Sequence, residues 1–299
     1  MAEIWLLADV GGTSTRLGLA LDGRFDPDST QTFRNAGFTG LAEVLERYLS
    51  HHPITPTALC AGVAGPVRGG TAQLTNLDWF IDSADLARVT GAQDVRLIND
   101  LAAQGYALDD LDPTYITQLI DGTTPPPDSA RMVMGLGTGS NIAVVHRTPR
   151  GLFVPPAEAG HSSLPHCDGA TGALIATLAG KVAHRPLEAL LSGPGLVRLH
   201  AHLSGDTLTP DQIIAAHLAG DAGACTSLTA FARLLGNVLG NLALNHLPMG
   251  GIYLIGGTAR AVAPFLVPLG FEESFTAKGP YSHIMQDIPV SLVTDDSAA

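Results

Sequence analysis

The chain has 299 residues, is 45% hydrophobic and only 15% charged, and is rich in Gly (34) and Pro (20), which suits a folded α/β protein of one large or two moderate domains and excludes a disordered chain. Its net charge is −12 and its only lysines are Lys181 and Lys278, so it lacks the basic footprint that nucleic-acid binding requires. Cys60, Cys167 and Cys225 lack the spacing of a zinc or redox motif, the first apolar run (Ile4 to Ala8) is too short for a signal peptide, and no stretch approaches the ~20 apolar residues of a membrane helix, so a cytoplasmic location is expected.

In chain order, Ile4 to Ala8 reads as a buried strand running into Asp9-Val10-Gly11-Gly12-Thr13, with a second apolar run from Leu17 to Leu21. An apolar run on each side of a tight glycine turn predicts a β-hairpin. Leu41, Val44, Leu45 and Tyr48 have helical spacing, and Leu59 to Val63 and Val95 to Ile98 read as strands. Thr123 to Asp128, with three consecutive prolines, is a connector. Beyond it Met132 to Met134 runs into Gly135-Leu136-Gly137-Thr138-Gly139-Ser140-Asn141 and then Ile142 to Val145, which predicts a second hairpin of the same kind. Leu228, Phe231, Leu235, Val238 and Leu242 form the stripe of a core helix that Gly250-Gly251 is expected to end. Ile252 to Ile255 is then a buried strand leading to Gly256-Gly257-Thr258. Strands alternating with helices, and two similar hairpins half a chain apart, predict two related α/β halves with a phosphate clamp between them.

The clamp has a chemical basis. Glycines let backbone N–H groups converge on an anion without Cβ obstruction. Thr13 and Thr138 add hydroxyls beside the two turns, and Asp9 could hold Mg²⁺ directly or through water. Arg16 reads as a surface residue or a local charge partner, with a catalytic role as the lesser alternative, and a single glycine turn also reads as an ordinary hairpin. Other nucleotide motifs fail. Gly180-Lys181 has Ile175 and Val182 where a P-loop needs Gly and a hydroxyl, Ile142 replaces the third glycine of a dinucleotide fingerprint, and the protein-kinase signatures are missing.

Asn99-Asp100 follows a buried strand, where open α/β sheets place ligands. A carboxylate there could orient an attacking hydroxyl and accept its proton during phosphoryl transfer. The same pair also reads as a helix N-cap. Glu158 and His161 stand in the rigid Pro/Gly frame of Pro155 to His161, with side chains suited to the hydroxyls of a neutral polyol. Glu188 is a further candidate, with a solvated helix charge as its alternative reading.

Together these residues resemble the bacterial glucokinases of the sugar kinase/actin/Hsp70 superfamily, as distinct from the ROK branch. The resemblance covers nearly the whole chain: Asp9-Val10-Gly11-Gly12-Thr13, Gly65-Pro66, Leu74 to Trp79, Ile98-Asn99-Asp100, Gly137-Thr138-Gly139, Glu158-Ala159-Gly160-His161, Leu191 to Gly195, Gly240 to Asn245 and Ile255-Gly256-Gly257. It implies two actin-like (ribonuclease H-like) α/β domains, a small one over 1–109 and a large one over 110–299, with an interdomain cleft that closes on sugar. It implies ATP-dependent phosphorylation of glucose or a similar hexose at the 6-hydroxyl, with Mg²⁺, and a homodimer. Asp100 would be the general base, while Asn76, Asn99, Glu158, His161 and Glu188 would hold the sugar. Asp9 with Gly11, Gly12, Thr13, Gly137, Thr138 and Gly139 would face the phosphates and metal, and Gly256 and Gly257 the adenosine.

The sequence departs from that pattern in two places. Ser140-Asn141 stands where the resemblance leads one to expect a small apolar residue or glycine. Asp296-Ser297 looks like the cap of a terminal helix, returning to the small domain, that the sequence does not continue into. Only Cys167 follows His161, so the structural zinc of the ROK branch is not expected. The competing readings are a non-catalytic sugar-binding regulator of the same fold, a kinase for another hexose, and a superfamily phosphotransferase or phosphatase acting on a different substrate.

Overall fold

A computed structural model describes residues 3–74, 77–179 and 184–295. Asn76 and the Asp296-Ser297 cap lie outside the described residues. The chain divides into two compact units, Met1–Ala103 and Gln104–Ala299. The division falls six residues earlier in the chain than the 109/110 boundary read from sequence, inside a helix.

The first unit is built from β1 (Ile4–Val10), β2 (Ser14–Leu21), β3 (Arg24–Arg34), α1 (Leu41–His51), β4 (Ala58–Val63), β5 (Val67–Arg68), β6 (Thr71–Gln73), β7 (Phe80–Asp82), α2 (Ser83–Thr90) and β8 (Asp94–Asn99). α3 (Asp100–Ala107) carries the chain across the division. Five strands form one sheet in the order β3-β2-β1-β4-β8. The β1–β2 and β2–β3 pairs are antiparallel, and β1–β4 and β4–β8 are parallel. β5, β6 and β7 make a small separate sheet that no periodicity announced. Leu6, Ala8 and Val10 face the core from β1, and the helical stripe of α1 (Leu41, Val44, Leu45, Tyr48) is fully buried. Each of the buried Leu and Val side chains contributes about 1.5–3 kcal/mol by leaving water. Asp82 caps α2 by accepting from the Ala84 N–H, and Gly91, in the left-handed region, ends it.

In the second unit, β9 (Ile116–Ile120), β10 (Arg131–Leu136), β11 (Ser140–Thr148) and β12 (Gly151–Phe153) precede four helices. These are α4 (Gly169–Ala179), α5 (Gly193–Ser204), α6 (Pro210–Leu218) and α7 (Ala222–His246). β13 (Ile252–Ile255), α8 (Gly257–Leu266), α9 (Phe271–Thr276), α10 (Ser282–Gln286) and β14 (Val290–Val293) complete it. The sheet order is β12-β11-β10-β13-β14-β9. Its first five strands repeat the pattern of the first unit: two antiparallel pairs, then two parallel ones, with β9 added antiparallel at the edge. The two-fold likeness read from the glycine hairpins is therefore a likeness of whole sheets, as the actin-like fold requires.

The stripe predicted over Leu228 to Leu242 is the buried face of α7. That helix ends earlier than expected. Leu247 adopts a left-handed conformation (φ 44°) directly before Pro248, and its N–H closes on the Ala243 carbonyl at 2.7 Å. A residue preceding proline is excluded from helical geometry, so Pro248, not Gly250-Gly251, stops the helix. Among the described residues, no helix is long and apolar enough to cross a membrane.

Candidate active site

In the first unit, Val10, Val63 and Asn99 stand side by side across β1, β4 and β8. The Gly11 turn and the Asn99-Asp100 pair therefore leave the same end of three adjacent parallel strands. Two strand spacings put them about 10 Å apart, on the edge where such sheets bind ligands.

The turn of Gly11, Gly12 and Thr13 is held from below by a residue the sequence analysis missed. Asn35 is 1% exposed. Its side-chain N–H donates to the Gly11 carbonyl at 2.8 Å, its side-chain oxygen accepts the Thr15 hydroxyl at 2.8 Å, and its backbone N–H donates to the Thr13 carbonyl at 3.0 Å. Asn35 thereby partners the Gly11 and Thr13 carbonyls and the Thr15 hydroxyl, and the Thr13 side chain remains exposed. No local pattern marks Asn35. Its partners lie 20 and 24 residues earlier, so only the fold brings them to it.

Asp9 lies opposite Arg16 in the β1–β2 ladder, on the strand face turned away from Leu6, Ala8 and Val10. Loss of water around the carboxyl pushes its pKa above the ordinary aspartate value, and the Arg16 charge opposes that shift. Arg16 is exposed and stands across the ladder from Asp9, so the surface and local-partner readings hold together.

Asn99 ends β8 and Asp100 begins α3. The Leu101 N–H donates to Asn99 Oδ1 at 3.0 Å, so Asn99 is the helix cap, and the same N–H reaches Asp100 Oδ1 at 2.8 Å. The Asn99 side-chain amide also donates to the Gly65 carbonyl at 3.3 Å. The contact with the Leu101 N–H fixes the direction of the Asp100 carboxylate.

In the second unit, Gly137, Thr138 and Gly139 join β10 to β11. The Gly137 carbonyl accepts from the Gly193 N–H (2.8 Å) and the Thr258 hydroxyl (3.1 Å). That pins the turn to the first residues of α5 and α8. A cavity of about 880 Å³ opens beside it, lined by Gly137, Thr138, Gly193, Pro194, Gly257 and Thr258 among others. A Cβ at Gly137 would meet nothing within 4 Å. The open wall, the Thr138 hydroxyl and the N-terminus of α8 fit a nucleotide.

At the other end of the same turn stand the predicted sugar residues. A Cβ on Gly139 would lie 2.8 Å from Glu188 Oε2, and Glu188 Oε1 is 3.8 Å from His161 Nδ1. Glu188 sits in a short 3₁₀ turn, Leu187–Ala189, and is not the solvated helix charge weighed for it. Glu158 immediately precedes the 3₁₀ turn Ala159–His161, and Asn141 donates to its Oε2 at 3.2 Å. The second unit thus brings Glu158, His161 and Glu188 to one side of the glycine turn, and Gly257 to the cavity on the other. Gly256 enters α8 at φ 99°, where a Cβ would fall 2.4 Å from the Leu136 carbonyl.

Among the described residues, no three His, Cys, Asp or Glu side chains gather as a metal centre. A lone carboxylate such as Asp9 suits Mg²⁺, which takes one or two protein carboxylates and completes its shell with phosphate oxygens and water.

The glucokinase family model matches residues 6–299. A glucokinase of Yersinia enterocolitica is 30% identical, with 98% of this chain and 93% of that protein aligned. The crystal structure of a glucokinase from an Antarctic psychrotroph superposes with a TM-score of 0.86 at 31% identity, covering 99% of this chain and 96% of the other. A Balamuthia mandrillaris glucokinase, solved in complex with glucose, shares the fold with a TM-score of 0.80 at 20% identity, over 98% of this chain and 90% of the other.

Proposed function

The chain belongs to the glucokinase family, and on that premise we propose that it transfers the γ-phosphoryl group of ATP to the 6-hydroxyl of glucose or a similar hexose, with Asp100 as the general base. One observation carries the reading: Glu158, His161 and Glu188 stand beside a glycine turn whose other end opens on a nucleotide-sized cavity. A polyol site and a phosphate site that share one turn suit transfer between the two.

In this reading Asp100 accepts the proton of the 6-hydroxyl as its oxygen bonds to the γ-phosphorus. The bond from that phosphorus to the β–γ bridging oxygen breaks, and ADP leaves. Asn99, Asn76, Glu158, His161 and Glu188 orient the sugar. The N–H groups of Gly12 and Gly139, with the Thr13 and Thr138 hydroxyls, hold the phosphates; Gly11 and Gly137, whose own N–H groups close the turns on the Ser14 and Gly139 carbonyls, line the approach without a side chain, and Gly256 and Gly257 approach the adenosine. Asp9 would hold Mg²⁺, which neutralises charge on the phosphate oxygens. The proposal includes a small domain over 1–109 and a large one over 110–299 that close on sugar and exclude water, so that transfer outruns ATP hydrolysis. It also includes a homodimer in the cytoplasm.

The test is a coupled ADP-release assay with glucose, mannose, fructose and N-acetylglucosamine. Glucose-dependent release with little background hydrolysis supports the reading. No sugar-dependent release from any of the four, with calorimetric glucose binding retained, would favour a sugar-binding regulator of the same fold.

A further inference from the structure

Asn141 stands where a small apolar residue or glycine was expected, and its side chain is fully engaged. The Ile142 N–H donates to Asn141 Oδ1 at 2.8 Å. That leaves Nδ2 as the donor face, and it reaches the Ala157 carbonyl at 2.7 Å and Glu158 Oε2 at 3.2 Å. The orientation of the amide is fixed, because a flipped side chain would set its oxygen against a carbonyl and a carboxylate.

We infer that Asn141 is a positioning residue for the sugar site: it clamps the Ala157–Glu158 peptide to β11 and aims the Glu158 carboxylate. The inference rests on the reading of Glu158 as a sugar ligand. Glu158 is itself exposed and precedes a turn of three residues, so little else on its own element fixes its rotamer. At Asn141 itself β11 is held by its antiparallel ladder with β10, opposite Gly135, and farther along by β12 at His146 to Thr148. Asn141 therefore couples a mobile-length carboxylate to a rigid support, the arrangement that holds a binding group in its productive geometry. A glycine at 141 could make neither contact.

The experiment compares the full-length wild type, Asn141→Ala, Asn141→Asp, Glu158→Gln and the Asn141→Ala/Glu158→Gln double variant. Each is assayed for kcat and for KM with glucose and ATP, and its melting temperature is recorded. Asn141→Asp keeps the shape of the side chain and replaces its donor with an acceptor, so it separates packing from hydrogen bonding. We expect a rise in glucose KM of roughly 5- to 10-fold for Asn141→Ala, and more for Asn141→Asp, from the loss of a hydrogen bond to a charged group. KM for ATP should stay within about 2-fold of wild type. In the Glu158→Gln background, adding Asn141→Ala should raise glucose KM by less than about 2-fold, because the two residues act as one unit. Additive effects on glucose KM, or an Asn141→Asp variant that matches wild type, would overturn the inference and leave the proposed reaction standing. A wild-type chain that turns over no hexose would overturn both.

Discussion

The α-carbon of Gly160 faces the Ser140 carbonyl so closely that a methyl group on it would lie 1.6 Å from the oxygen. This contact docks the turn that carries Glu158 and His161 onto the first residue of β11, directly after Gly139. Gly160→Ala should therefore cost about 3 kcal/mol of stability through overpacking. Sugar affinity should weaken with it, because the two side chains flanking position 160 move. Urea unfolding and glucose titration check both, and a denaturation midpoint equal to wild type would show that the close approach is not maintained.

Asn35 makes a different prediction, because it touches the first glycine turn and none of the sugar residues of the second unit. Asn35→Ala leaves the Gly11 carbonyl and the Thr15 hydroxyl without their partner. The expected cost is about 2 kcal/mol for orphaned buried polar groups. KM for ATP should rise while KM for glucose stays near wild type. Equal effects on both substrates would mean general loosening and not a disturbed phosphate turn.

Asp100→Asn keeps an oxygen that can accept the Leu101 N–H and removes the proton acceptor that the proposed mechanism requires. Loss of a general base predicts a fall in kcat of at least ~100-fold. Glucose binding, followed by calorimetry, should be largely retained. A variant with unchanged kcat would leave Asp100 with a structural role alone.

Gly193 tests the wall of the cavity proposed for the nucleotide. A Cβ there would lie 3.2 Å from the Thr258 hydroxyl and 3.5 Å from the Gly137 carbonyl. Gly193→Ala should press Thr258 off the turn and raise KM for ATP by roughly 5-fold, as expected for a loss of ground-state binding. Thr258→Ala removes the obstructing hydroxyl, so the double variant should recover part of that loss. No recovery would mean the damage arises elsewhere.

Asp109 supplies a pH prediction. Its carboxylate pairs with Arg131 (2.6 Å) and Arg147 (2.6 Å), tying the end of α3 to β10 and β11. Burial alone would raise its pKa, and the hydrogen bonds and charges of the two arginines outweigh burial and lower it. A carboxyl with a lower pKa in the folded chain stabilises it fully above the unfolded value, near 3.9, and loses that contribution as pH falls through the folded value. Wild type should exceed Asp109→Asn in stability by about 1 kcal/mol at pH 7, given the partial exposure of the pair. The gap should close below about pH 4. A gap independent of pH would assign the effect to packing.

What could be read in advance was local. The two hairpins were legible because an apolar run, a glycine turn and a second apolar run are contiguous, and the α7 stripe because helical period is a property of one segment. The short sheet of β5 to β7 and the edge strand β9 were not, since strands of two to five residues carry too little alternation to stand out. The end of α7 is set by the single Leu247-Pro248 step, three residues before the Gly250-Gly251 pair that composition points to. Asn141 stands out in the sequence only as a departure from a pattern, and nothing local marks Asn35.

By itself, the sequence determined the α/β class, the two glycine turns and the order of residues able to hold phosphate and polyol, because backbone freedom, side-chain chemistry and period belong to neighbouring residues. Only the tertiary structure decided which of those residues meet. It joined Asn35 to a turn 24 residues away, Asn141 to Glu158, and Glu188 to His161. Strand register and helix docking make such contacts, and both are settled by packing among distant segments that no single stretch of the chain encodes.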